Sequence, residues 1–291
     1  MPMEFTEIVK KLETVRDLPT LPIVLERIKK AIRDPNSNAT QIAGLIEDDP
    51  AMMARILKVV NSPLYAGSEH IDSLQMAISR MGYTALHNVA MSASVFNSFG
   101  RNTDSVFDRQ EFWRHCISTG IAANAVFETC RDQLKRRFSP DLLHLAGLLH
   151  DIGKIVLDQY FHEDFSRAIE TVRAQGIPLC AGEVQCIGAN HNQVGAWLAK
   201  RWKISPDLEQ VVRWHHAPQN AEEESRELVE LCHVANYICN YRMIGDGGDT
   251  SAPSCQPHIL KKLGLEEETY WNILDYIVEE SKKSEVLLSL L

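Results

Sequence analysis

The chain lacks the features that would place it in a special class. It has no apolar run of roughly eighteen residues, the length a membrane-spanning helix needs. Its opening, Met1-Pro-Met-Glu-Phe-Thr-Glu, has no basic stretch followed by an apolar core. A cytoplasmic protein with no membrane contact is expected. The seven cysteines are odd in number and scattered, and none forms a Cys-x-x-Cys pair. This indicates neither a disulfide framework nor a zinc knuckle, and most of them are expected to be small buried apolar residues.

Clustered positive charge is also scarce. The formal net charge is −9, which opposes a general nucleic-acid surface, because phosphate binding needs grouped Lys and Arg. Lys135-Arg-Arg137 is the one dense basic run, and it reads as a solvated surface turn before Pro140. Two short helical stretches separated by Asp49-Pro50 hint at a helix-turn-helix DNA reader, but the acidic Glu47-Asp-Asp49 between them would face phosphates.

What is present is an ordinary globular composition, 45% hydrophobic and 24% charged over 291 residues, enough for one large domain or two modest ones. Apolar residues recur at three- and four-residue spacing almost throughout, and no convincing alternating β-branched run appears. The expected fold is therefore all-α, a two-part helical bundle.

Leu18-Pro-Thr-Leu-Pro22 is a stiff approach in which Thr20 is placed to cap a helix carrying Ile23, Leu25, Ile28 and Ile32. Further helices are predicted from near Thr40 to Asp48, from Ala51 to Asn61, from Ile71 to a stop at Gly82, and from Leu86 to Phe99. The polar stretch 100–108 divides an amino-terminal half, residues 1–105, from a second half, residues 106–291.

In the second half, Glu111 and His115 share one helical face, and a helix over 141–152 ends in His150-Asp151 before an expected glycine stop. His191 begins a helix whose buried side carries Val194, Leu198 and Trp202. Another runs from Pro206 into Trp214-His215-His216, and one from about Glu224 to Tyr241 carries His233 and Asn236 on one face. Gly245 to Pro257 reads as a flexible or disordered connector. Acidic amphipathic helices follow at roughly 258–263 and 266–289.

Buried imidazoles and carboxylates need partners, and a cation satisfies both. His115, His150, Asp151, His191, His215, His216 and Glu111 all fall at helix ends or on polar positions, from which a helical bundle builds metal sites. A mixed His and carboxylate set favours iron, manganese or zinc over calcium. His70, His87, His144, His162 and His258 read as structural. Spacing alone does not show that the others converge.

These segments together resemble the HDOD family, HD-related output domains of bacterial signal transduction. The resemblance rests on Leu18-Pro-Thr-Leu-Pro22, Asp49-Pro50, Ile56-Leu-Lys-Val-Val-Asn-Ser-Pro63 and Ala77-Ile-Ser-Arg-Met-Gly82 in the first half. In the second it rests on Phe112-Trp-Arg-His115, Gly147-Leu-Leu-His-Asp-Ile-Gly-Lys154, His191 with Gly195-Ala196, and Trp214-His-His216. It covers about Leu18 to Asn240. It implies an all-helical fold related to the HD phosphohydrolases and similar to the HD-GYP cyclic di-GMP phosphodiesterases.

By that resemblance the metal set is His115, His150, Asp151, His191, His215 and His216, with Glu111 matching a glutamate used by some HD-GYP members. Lys154 matches a lysine that contacts phosphate. The chain departs from the pattern in two places. Asn236 stands where the HD pattern has its last Asp, and Ile155-Val-Leu-Asp-Gln-Tyr160 follows Lys154 in place of a Gly-Tyr-Pro signature. The expectation is a regulatory module without catalysis, retaining a divalent metal at a degenerate site. Its input would come from a separate signalling protein. The alternative is a metal-dependent phosphohydrolase acting on a nucleotide or cyclic dinucleotide.

Overall fold

The computed structural model describes residues 2–15, 18, 23–47, 49–62, 70–99, 106–249, 255–265 and 267–282. Among them the regular structure is helical, with no β-strand. Thr20 lies outside the described residues. In chain order the helices are α1 (Phe5–Thr14), α2 (Ile23–Arg33), α3 (Ala39–Glu47), α4 (Pro50–Val60), α5 (Leu74–Ser98), α6 (Arg109–Cys130), α7 (Pro140–Leu149) and α8 (Ile152–Tyr160). They continue with α9 (His162–Gln175), α10 (Leu179–Cys186), α11 (His191–Arg201), α12 (Pro206–Trp214), α13 (Arg226–Tyr241), α14 (Pro257–Lys262) and α15 (Glu267–Ser281). No helix among the described residues is long and apolar enough to cross a membrane.

The chain forms two compact units. The smaller, within Pro19–Gly100, holds α2 to α5. Asp49 caps α4 by accepting from the Met52 N–H at 3.0 Å, with Pro50 in the first turn where its missing N–H is harmless. Asn61 ends α4 and ties it to the approach of α5. Its amide donates to the carbonyls of Leu57 and Ile71, and its oxygen accepts from the Ile71 N–H, each at 2.8 Å. Ile42, Ile46, Ile56 and Leu86 fill the core between these helices. Two helices were expected over 71–99. Both are present within Leu74–Ser98 and meet at a break where Gly82 takes a φ of 81°, which only glycine adopts freely.

The larger unit holds α1 and everything from Arg101 to Lys282. The sequence partition had placed α1 with the first half. Ile8 and Leu12 are buried, Lys11 lies over the Phe161 ring, and the Met3 N–H donates to the Ile187 carbonyl at 2.9 Å. Gly188, at a φ of 104°, passes so close that a Cβ there would meet the Met3 carbonyl oxygen.

Helix α6 is the central post of this unit, against which α7, α13 and α15 pack. Asp108 caps it, accepting from the N–H groups of Gln110 and Glu111. Its buried face carries Phe112, Ile117 and Val126, each contributing roughly 1.5–3 kcal/mol when fully buried. Helix α7 meets α6 backbone to backbone: a Cβ on Gly147 would stand 2.1 Å from the Gly120 nitrogen. That contact sets His150, just beyond α7, opposite His115 on α6.

Gly153 is not a helix stop. It lies in the first turn of α8, where a Cβ would come within 2.0 Å of the His191 carbonyl oxygen, so it permits α8 and α11 to touch. The basic run also has internal partners. The N–H groups of Lys135 and Arg136 donate to the Glu227 carboxylate, and the Arg136 guanidinium grips Asp207 with two bonds of 3.0 Å.

Candidate metal centre

Four helix ends and one helix face deliver the cluster. His115 comes from the body of α6, His150 closes α7, Asp151 opens α8, His191 opens α11, and His215 and His216 follow α12. His115, His150, Asp151, His191 and His215 are fully buried, while His216 is partly exposed at the rim. Asp151 occupies a helix N-cap position, yet its carboxylate makes no capping bond and is left for the cluster.

The two carboxylate oxygens of Asp151 face different neighbours. Oδ1 lies 3.3 Å from Nε2 of His191 and 3.3 Å from Nε2 of His215, and Nε2 of His191 is 3.2 Å from Nε2 of His216. Oδ2 lies 2.7 Å from the Lys154 ammonium, 3.2 Å from Nε2 of His150 and 3.9 Å from Nε2 of His115. Asp151 therefore joins two potential ligand sets. One is Asp151, His191, His215 and His216; the other is His115, His150 and Asp151. Within each, the ligand atoms lie within 4.8 Å of one another.

The outer ring nitrogens of His150, His191 and His215 are engaged. Nδ1 of His150 donates to the Gly147 carbonyl at 2.6 Å, and Nδ1 of His191 to Glu183 Oε2 at 2.7 Å. Nδ1 of His215 is 3.1 Å from the Val211 carbonyl, with the Asn192 amide nitrogen at 3.3 Å. An imidazole that donates through Nδ1 turns a lone pair inward at Nε2, which is how a carboxylate or carbonyl prepares a metal-binding histidine. Nε2 of His115, His150 and His215 has no hydrogen-bond partner. Buried lone pairs left in this state are unfavourable unless a cation meets them.

The dimensions also fit. Metal–nitrogen bonds of about 2.0–2.1 Å in a tetrahedron separate the ligand atoms by roughly 3.3–3.5 Å, close to the 3.2–3.3 Å spacings on the Oδ1 side. The donors on this side suit a divalent ion such as zinc, manganese or iron.

Protonation favours the same use. Burial, reinforced by neighbouring histidines, pushes His115 and His215 down to about 3, so both are neutral ligands at physiological pH. Burial works against the charge on Asp151, but His150 and Lys154 outweigh it and hold the carboxyl well below its ordinary range. Burial likewise opposes the Lys154 ammonium, yet Asp151 and Asp249 keep it protonated beyond the usual lysine range. His191 is the exception: Cys180 and Glu183 outweigh burial and raise its pKa, so a metal at this ring must displace a proton.

Three expected site residues stand differently. Glu111 pairs with Arg114 at 3.1 Å and is not in either ligand set. The side-chain oxygen of buried Asn236 accepts from Asn240 at 2.7 Å. Lys154 is buried against Asp151 and also donates to the Gly247 carbonyl at 2.7 Å, with Asp249 Oδ2 at 3.4 Å.

The sequence reading passed over two contributions. Glu183, eight residues before His191 on α10, accepts from both the backbone N–H and the ring of His191. Cys180, Glu183 and His191 also form a third close group. The glycine-rich stretch expected to be a disordered connector is, over 245–249, packed on the cluster; residues 250–254 lie outside the described ones. Its backbone is tied down by the bond from the Asp246 N–H to the Glu111 carbonyl at 3.0 Å.

An all-helical bundle with a His–Asp cluster gathered at helix ends is the class that fold and site define. The HDOD domain model matches residues 18–218, more than half of the chain. The chain belongs to the HDOD family. An uncharacterised protein from Treponema pallidum (strain Nichols) is 28% identical over 230 residues, covering 79% of this chain; the chain spans only 43% of that relative's length. Among solved structures, a candidate signal transduction protein from Marinobacter aquaeolei VT8 aligns with a TM-score of 0.76 at 22% identity. That alignment covers 100% of this chain and 62% of the other. A candidate phosphohydrolase from Shewanella amazonensis SB2B aligns with a TM-score of 0.72 at 19% identity, covering 98% and 97%. At such identities the structural likeness speaks for the fold.

Proposed function

We propose that this chain is a bacterial signal-transduction output module whose HD-type site holds one divalent metal for structure and sensing and does not turn over substrate. The observation that carries this reading is the Lys154 ammonium on Asp151 Oδ2. It puts a fixed positive charge on the side where a second metal would have to bind. The first ligand set, on Oδ1, remains open to one ion. A bound metal there would supply a positive centre that locks α8, α11 and α12 together. Asn236 supports the same reading: a neutral amide, already bonded to Asn240, replaces a carboxylate that would help balance a second ion's charge. The input comes from a separate signalling protein, and the HDOD assignment is the basis for that expectation.

The test is elemental analysis of protein purified without chelator, together with an assay of nucleotides and cyclic dinucleotides in the presence of iron, manganese and magnesium. About one metal per chain and no turnover is the expected result. Robust hydrolysis by wild type that is lost in Asp151→Ala would overturn it.

A second reading, a metal-dependent phosphohydrolase, is favoured by the second ligand set, His115, His150 and Asp151, which shares Asp151 with the first. Two ions so placed would supply a nucleophile at neutral pH and clamp phosphoryl charge. For that, Lys154 would have to leave Oδ2 and turn to the phosphate. If Asn236 has silenced such a site, Asn236→Asp raises metal content above that of wild type; unchanged content counts against it.

A further inference from the structure

The Gly245–Asp249 loop makes contacts that a passive connector has no need of. The Gly247 carbonyl accepts from Lys154 at 2.7 Å, and Asp249 Oδ2 stands 3.4 Å from the same ammonium. The other oxygen of Asp249 accepts from the Leu179 N–H, the first of α10, at 3.1 Å. One carboxylate thus bridges a buried lysine and a helix-terminal N–H, two donors that together suit a phosphoryl group.

The loop reaches this position because it carries little side chain. At Gly245, with a φ of 68°, a Cβ would meet the His115 nitrogen at 2.3 Å. At Gly247 it would sit 3.3 Å from His115 Nε2 and 3.5 Å from Lys154 Nζ. Asp246 closes the turn, accepting from the Gly248 N–H at 2.7 Å.

We infer that the Gly245–Asp249 loop is an internal acidic plug: Asp249 occupies an anion position beside Lys154, and a phosphorylated ligand binds by displacing it. The inference deepens the sensing role proposed above and rests on it. It assigns the sensed ligand to the phosphate monoester or nucleotide class and makes the loop the part that moves. A plug closed about 90% of the time lowers the apparent affinity for such a ligand about tenfold.

The experiment uses the full chain, with inorganic phosphate as the probe. Binding is measured by calorimetry, and the Leu179, Asp246 and Gly248 amides are followed by hydrogen exchange. Phosphate is expected to speed exchange at the Asp246 and Gly248 amides in wild type, while the Leu179 amide, passed from Asp249 to the phosphate, stays protected. Asp249→Asn is expected to bind phosphate about tenfold more tightly than wild type. Asp246→Ala, a change at an exposed position that opens the same turn without touching Lys154, is expected to do so in the same direction and keeps the test valid if Asp249→Asn misfolds. Phosphate binding that appears only in the variants also supports the plug. Binding that leaves the Asp246 and Gly248 amides protected, or no binding by any of the three proteins, overturns it. Metal content measured on the same samples separates the two ideas. A metal-loaded protein with an indifferent loop refutes the plug alone, and a metal-free protein whose loop yields to phosphate refutes the metal alone.

Discussion

The ammonium of Lys154 lies 2.7 Å from Oδ2 of Asp151, with both side chains fully buried. The pair sits three residues apart across the first turn of α8, inside a cluster of imidazoles of which burial keeps His115 and His215 neutral. A paired buried charge contributes little net stability, but removing one member leaves the other uncompensated. Lys154→Met is therefore expected to destabilise the chelated protein by roughly 3–5 kcal/mol. Added zinc or manganese should restore part of the loss, because the ion takes over the lysine's charge. Thermal melts with and without chelator measure both effects, and a variant as stable as wild type in chelator would show that the pair is not the site's main charge balance.

Glu183 grips His191 through Nδ1 and through the backbone. A carboxylate in that position orients its histidine and strengthens it as a ligand. Glu183→Gln is expected to lower metal affinity by about 10–100-fold while leaving the helical content unchanged. Competition against a chromogenic chelator gives the affinity and circular dichroism the fold.

The α6–α7 contact predicts a purely steric defect. Gly147→Ala puts a methyl group 2.1 Å from the Gly120 nitrogen, and backbone has no rotamer with which to yield. A loss of about 3 kcal/mol is expected, read by urea denaturation. Leu142→Ala, on the same helix but only partly buried, should lose distinctly less.

Asp207 gives a pH dependence with a defined sign. Burial works against its charge, but the Arg136 fork and the Ser225 hydroxyl outweigh it and lower its pKa. A depressed carboxyl contributes stability that is complete above the ordinary value of 3.8 and is lost as pH falls through the folded value. Asp207→Asn should therefore be less stable than wild type at neutral pH, by about 1 kcal/mol for a partly exposed pair. The gap should close in acid; a gap of constant size would assign the effect to packing.

Much of the fold was legible because most of the helices carry a strong apolar period and end at Pro, Asp or Gly. Helices α1, α8, α9 and α10 were passed over, and with α10 went Glu183 and Cys180, which belong to no recognisable short motif. Gly153 was misread as a stop because sequence shows that a side chain is missing but not what occupies the space. The stretch 245–249 was misread for a related reason: composition marks Gly-Asp-Gly-Gly-Asp as unable to form a core, but not that the Glu111 carbonyl and the Lys154 ammonium would hold its backbone. His115, His150, Asp151, His191, His215 and His216 could be picked out individually by their places at helix ends or on polar helical positions. Their meeting depends on α6–α7 and α8–α11 contacts between residues far apart in the chain.

The bond from the Met3 N–H to the Ile187 carbonyl fastens the first residues of the chain to the turn that delivers His191. Gly188, pressed against the Met3 carbonyl, leaves no slack there. Tension applied ahead of Met3 is therefore transmitted to the α10–α11 turn, a lever arm only a few residues from a cluster imidazole.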